Sequence, residues 1–161
     1  MAGVSTPPAP SAHPSPTAPP IKLGRLRAIV LRTDGAFLLV ASALAFSADI
    51  IGYTTGGGPL GAAFAGRPFT SVGMFEAHGT AFLLGLVLLY AARRPPAPAA
   101  AHLLAAGLHL LLGGFNLVFW QDAIMAGVEK LEIVVTTIHF AFLAAQIACA
   151  ASSMRRQDET P

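Results

Sequence analysis

Two apolar stretches of this chain each carry three polar residues at seven-residue intervals. The two series are His102, His109 and Asn116 in one stretch, and Glu132, His139 and Gln146 in the other. Seven residues make nearly two turns of an α-helix, so each series marks one face of a helix. Polar groups in a bilayer are costly and turn toward other protein groups. We therefore expect the two polar faces to meet inside a membrane.

Two histidines of these series could bind a cofactor. A rise of about 1.5 Å per residue places both His109 and His139 near the middle of the membrane. Imidazoles on facing helices of a bundle are suited to be axial ligands of a b-type haem. We predict that His109 and His139 bind haem b, with His78 as a reserve ligand, which would make the chain a redox-associated membrane subunit. A hydrogen bond that only holds the two helices together is the alternative.

A carboxylate and a histidine stand two residues apart at the start of another apolar stretch, within the sequence MFEAHGT at 74–80. At about 100° per residue, Glu76 and His78 point about 200° apart, so they cannot both face one ligand. We expect His78 to enter the bundle, because it lies deeper and is less able to reach the lipid headgroups.

Other polar residues at membrane depth predict a pocket. Its predicted members are Asp49, Glu76, Asn116 and Gln146. Carboxylates and histidines at such depth are typical of proton and ion pathways. The pocket therefore favours a second interpretation, in which the chain is a subunit that binds or transports protons or a small molecule. Such side chains can also bind a divalent metal, but we assign no metal site. We assign no catalytic residue either, and whether the chain is an enzyme stays open.

The elements that must position these residues are membrane-spanning helices. Hydrophobic residues make up 54% of the 161 residues and charged residues 11%, whereas soluble domains carry about 25% charged residues. Four apolar runs cover 33–52, 71–92, 99–121 and 131–153. Each is close to the roughly 20 residues that cross a bilayer, where backbone groups must be bonded within a helix. We predict an all-α, polytopic membrane protein with a four-transmembrane-helix bundle at 33–153.

The segments outside the bundle predict its orientation. Residues 1–20 form a Pro/Ala-rich tail that we expect to be disordered, and 21–32 read as a basic juxtamembrane segment at the membrane surface. Residues 154–161 form a second tail. Eight Lys and Arg residues flank one side of the membrane, and only Arg67 and Lys130 flank the other. Basic residues accumulate on the cytoplasmic side, so we place both termini in the cytoplasm and the chain in the plasma or inner membrane.

The expected partners follow from the same pattern. The lipid bilayer is one, and a homo-oligomer or a larger membrane complex is another, since a ladder of small residues at 73–85 could let a second helix approach closely. In a larger complex the chain could be a structural or assembly factor. We expect no binding to nucleic acid, because the basic residues lie in small clusters at the ends of the apolar runs.

Overall fold

A computed structural model of the chain describes residues 21–58, 60–94 and 97–157. Within these ranges the chain forms six helices and no strand. The helices are α1 (Ile21–Thr55), α2 (Gly61–Phe64), α3 (Pro68–Ala91), α4 (Ala99–Val118), α5 (Trp120–Met125) and α6 (Glu129–Gln157). By length and hydropathy, α1, α3, α4 and α6 can each cross a membrane. The predicted all-α bundle with four spans is confirmed.

Large apolar side chains cover the outside of the bundle. Val40, Leu44 and Leu83 are 62%, 70% and 64% exposed. Water would disfavour so much exposed aliphatic surface, whereas lipid tails accept it. The four spans therefore belong to a multi-pass membrane protein.

The first helix differs from its prediction. It runs without a break for 35 residues, about 52 Å at 1.5 Å per residue, so the segment 21–32 is its beginning and not a separate surface segment. Arg27 in this segment is only 5% exposed, and its guanidinium donates to the Ala97 carbonyl between α3 and α4. Arg32 donates to the Ala92 carbonyl at 3.4 Å. These two arginines bind backbone carbonyls beside the α3–α4 connection, which lies on the same side of the bundle as the start of α1.

The other helix ends agree with the predicted runs to within a few residues. The predicted third run continued to 121, but α4 ends at Val118 and the chain re-forms a short helix, α5, at Trp120. The α6 helix continues to Gln157, so it includes the first part of the predicted tail at 154–161. The predicted disordered tail at 1–20 lies outside the described residues.

The spanning helices pack mainly as two pairs, α1 with α3 and α4 with α6. In the first pair the backbones touch at two glycines, because a β-carbon on Gly85 would lie 2.9 Å from the Gly35 carbonyl oxygen. The ladder at 73–85 is therefore partly used within the chain: Ala81 is buried and Gly85 contacts α1, whereas Gly73 faces open space. An oligomer built on the whole ladder would have to displace α1.

The second pair approaches closely at Gly113 of α4. A β-carbon there would lie 3.2 Å from the His139 β-carbon on α6. The missing side chain thus lets α6 bring His139 against α4. Contacts between the two pairs are fewer, and apolar ones gather where Leu31, Leu88 and Ala105 are buried together in one cluster. Hydrogen bonds between polar side chains also join the two helix pairs.

Candidate functional site

The centre of the polar interior is Asp34, an acidic residue of α1 with no exposed surface. Its Oδ1 lies 2.8 Å from His109 Nε2 on α4, and both side chains are fully buried. Its Oδ2 accepts a hydrogen bond from the Gln146 amide on α6 at 2.5 Å. One carboxylate of the first helix pair therefore binds both helices of the second pair.

His109 also contacts the second histidine of the site. Its Nδ1 lies 2.9 Å from Nδ1 of His139 on α6. Phe142 stacks on the His109 ring at a centroid distance of 5.2 Å, and Phe37 meets the His139 ring edge-on at 6.2 Å. Each imidazole thus packs against an aromatic ring. Through the two hydrogen bonds, Asp34, His109 and His139 form one hydrogen-bonded chain. We call these three residues the inner triad.

The bonding pattern of the inner triad decides where protons can reside. A neutral imidazole has one nitrogen that donates and one that accepts, while a protonated imidazole donates from both. With one shared proton, the triad can hold a neutral Asp34, a cationic His109 or a cationic His139. Each state keeps both hydrogen bonds, because the direction of donation reverses along the chain. A proton can therefore move from Asp34 to His139 without any side chain changing partner.

A branch of the site ends at His102. The Gln146 Oε1 lies 2.5 Å from Nδ1 of His102. His102 is fully buried and lies seven residues before His109 on the same face of α4. An amide has no readily ionised proton, so Gln146 orients Asp34 and His102 and interrupts the transfer of protons between them. The His102 Nε2 is buried and makes no hydrogen bond within the part of the chain that the structure describes.

A second polar group lies on the side of α2 and α5. Asp49 of α1 is fully buried, and its Oδ2 lies 2.6 Å from Nδ1 of His78 on α3. Glu132 lies on the same side of the bundle, in the first turn of α6. Asn116 of α4 donates to the Thr136 hydroxyl of α6 at 3.1 Å, so polar groups continue between this region and the inner triad. We call Asp49, His78 and Glu132 the outer group.

The structure separates the predicted site residues into these two regions. His109, His139 and Gln146 are brought together in the inner region, while Asp49 and His78 meet in the outer group. Glu76 is exposed and takes part in neither. Asn116 pairs with Thr136 and lies between them.

Sequence reasoning missed Asp34. It lies second in the predicted first run and directly follows Arg32 and Thr33, so it passed as part of the charged border of that run. A signal was present, because Asp34, Ser42 and Asp49 fall at intervals of eight and seven residues. All three are buried. Because α1 begins at Ile21, Asp34 lies well inside the helix and not at its start.

Haem binding by His109 and His139 would require a specific distance between their nitrogen atoms. Imidazole–metal bonds are about 2 Å long, so two ligands on opposite sides of one metal place their nitrogens about 4 Å apart. The Nδ1 atoms are 2.9 Å apart and the other nitrogen of His109 is bonded to Asp34. This arrangement does not fit a pair of axial ligands, and the helices would have to separate to admit a porphyrin.

A divalent metal has no ready-made ligand set in the part of the chain that the structure describes. No group of three or more His, Cys, Asp and Glu side chains there is placed to hold a metal ion. The alternative that the predicted pocket binds a metal therefore has no geometric support among those residues.

Comparisons with known proteins add no family to this description. No protein-family model matches the chain, and no similar curated protein or solved structure is found.

Proposed function

We propose that this chain is a proton-relaying membrane subunit and that Asp34, His109 and His139 carry the proton. The observation that carries the proposal is the unbroken hydrogen-bonded chain from the Asp34 carboxylate through both nitrogens of His109 to His139. Carboxylates and histidines inside membrane helices are costly and typically line proton pathways.

The inner triad can bind one proton. An ionised Asp34 beside two neutral imidazoles leaves one negative charge within the triad, and a buried charge is unfavourable unless it is paired. Arg27, about two helical turns earlier on α1, is a buried positive charge in the same interior. One proton on any member of the triad makes the triad itself neutral. Loss or gain of that proton is then the chemical event that the site can couple to transport or to binding of a small molecule.

The proposed setting is the inner or plasma membrane with both termini in the cytoplasm. The asymmetry of Lys and Arg supports this orientation. The hydrogen bonds of Arg27 and Arg32 put the start of α1 on the same side as the α3–α4 connection. The inner triad then lies near the middle of the spans, and the outer group lies toward the side opposite the cytoplasm.

A haem-binding, redox-associated subunit stays a second prediction, based on the residue types at His109 and His139. It requires that the two rings separate and exchange their mutual hydrogen bond for iron. Proton relay needs no such rearrangement, so the geometry favours it.

The test is proton flux in reconstituted liposomes. Purified protein is placed in potassium-loaded vesicles that contain a pH-sensitive dye, and valinomycin imposes a membrane potential. We expect the wild-type protein to pass protons and Asp34→Asn to reduce the flux to that of protein-free vesicles. Asp122→Asn is the matched control, because Asp122 is exposed and paired with Arg67 far from the triad in sequence. The absence of wild-type flux, or full flux in Asp34→Asn, would refute the proposal.

A further inference from the structure

The outer group has unsatisfied acidic oxygens that the inner triad does not explain. Asp49 is fully buried, yet its Oδ1 has no hydrogen-bond partner among the described residues, and the same holds for the buried Oε2 of Glu132. Buried polar atoms without partners are rare in native proteins and call for an explanation. Two of them, on α1 and at the start of α6, lie on the α2–α5 side of the bundle.

The charges of the group do not balance unless it binds something positive. If both carboxylates are ionised, a protonated His78 neutralises only one of them. Among the described residues, the charged or titratable side chains on the adjoining elements are Tyr53 on α1, Glu76 and His78 on α3, Asp122 on α5, and Glu129 and Lys130 at the start of α6. Glu76 is exposed. Asp122 is paired with the exposed Arg67, and Lys130 is exposed.

A proton fits this deficit better than a metal ion. A protonated carboxyl needs no ligand sphere, whereas the described residues provide no cluster of metal ligands. Glu132 lies in the first turn of α6, so the group reaches the end of a span, whereas Asp34 is fully buried within the bundle. Aromatic contacts of Phe75 with Phe46 and Tyr53 enclose the adjoining α1–α3 interface.

We propose that Asp49, His78 and Glu132 form a second proton-binding site, which exchanges protons with water on the α2–α5 side of the membrane. Its role in supplying the inner triad rests on the proposed function. Along α6, Glu132 and His139 are seven residues apart, about 10 Å, and Thr136 lies between them on the same face. A proton that leaves Glu132 would thus reach the His139 ring by way of hydroxyl groups or water in this layer.

Infrared difference spectroscopy tests the second site directly. The full-length protein in lipid is titrated with pH, and the carbonyl stretch of protonated carboxyl groups is followed. We expect Glu132→Gln to lose one titrating carboxyl band and His78→Gln to move the midpoint of that band. Glu129→Gln is the matched control, since Glu129 lies one turn away on the same helix, and it should keep the band. Glu132→Asp should restore a titrating band, which separates loss of the group from misfolding.

The outcomes distinguish the two proposals. A band that persists in Glu132→Gln would overturn the second site, whatever the flux measurement shows. Loss of the band together with reduced flux would support both the site and its role in supply. Loss of the band with wild-type flux would refute supply to the inner triad. If the wild-type protein passes no protons, the proposed function fails and the band alone decides whether the second site exists.

Discussion

Replacing Asp34 by alanine or by asparagine should have very different effects on stability. Alanine removes the two carboxyl oxygens that hydrogen-bond to the Gln146 amide and to His109 Nε2, and leaves both of these groups without that partner. A buried group left unsatisfied costs about 1–3 kcal/mol, so the two together cost about 2–6 kcal/mol. Hydrogen bonds between membrane helices average about 0.6 kcal/mol in double-mutant cycles, which sets a lower end near 1 kcal/mol.

Asparagine can keep both hydrogen bonds. Its oxygen can accept from Gln146, and its amide can donate to His109 if Nε2 is the accepting nitrogen. His109 then donates from Nδ1 to His139, so every member of the site is neutral and bonded. This is the bonding pattern of the site with a protonated Asp34. We therefore expect Asp34→Asn to lose less than about 1 kcal/mol, the scale of a single hydrogen bond.

The assay is reversible unfolding in mixed micelles of detergent and dodecyl sulphate, followed by circular dichroism. Asp122→Ala is the control, because it breaks only an exposed ion pair, worth about 0.2–1 kcal/mol. If Asp34→Asn is as destabilised as Asp34→Ala, the site does not tolerate a neutral residue at this position. The idea that the triad holds its proton on any of three members would then be wrong.

Two further predictions concern packing and haem. Gly85→Leu should destabilise the bundle by about 1–3 kcal/mol, typical of overpacking, because a β-carbon there lies 2.9 Å from the Gly35 carbonyl oxygen. Gly73→Leu should change little, since nothing lies near that position; equal losses in the same unfolding assay would contradict the packing described. Protein expressed with haem precursor should show no Soret band, and one that disappears in His109→Ala or His139→Ala would establish the haem interpretation instead.

The membrane-spanning helices and their polar faces could be predicted from the sequence, because both depend on residues that are close together in the chain. A run of about 20 apolar residues forces a helix in lipid, so all four spans were predictable. The seven-residue stripes also predicted which faces of α4 and α6 carry polar groups. What could not be read was contact between distant helices. No local pattern states that Asp34 meets His109 across 75 positions, or that Asp49 pairs with His78.

The start of α1 shows why helix borders were harder to read. Charged residues at 22–32 suggested that the span begins after them. Their side chains find acceptors within the protein, as Arg27 does at the Ala97 carbonyl, so the helix can begin much earlier. A border drawn from charge alone assumes that every basic residue faces headgroups. That assumption hid Asp34.

The pairing of the helices has a consequence for how the protein is made. The α1–α3 hairpin is synthesised first, and N-terminal units generally fold before later ones. Both hydrogen-bond partners of Asp34 belong to α4 and α6, so the newly inserted hairpin contains an acidic side chain with neither of them. An acid at the centre of a helix costs about 2.5–3.5 kcal/mol on insertion scales. Docking of the second hairpin relieves this cost, so the burial of Asp34 favours assembly of the two hairpins.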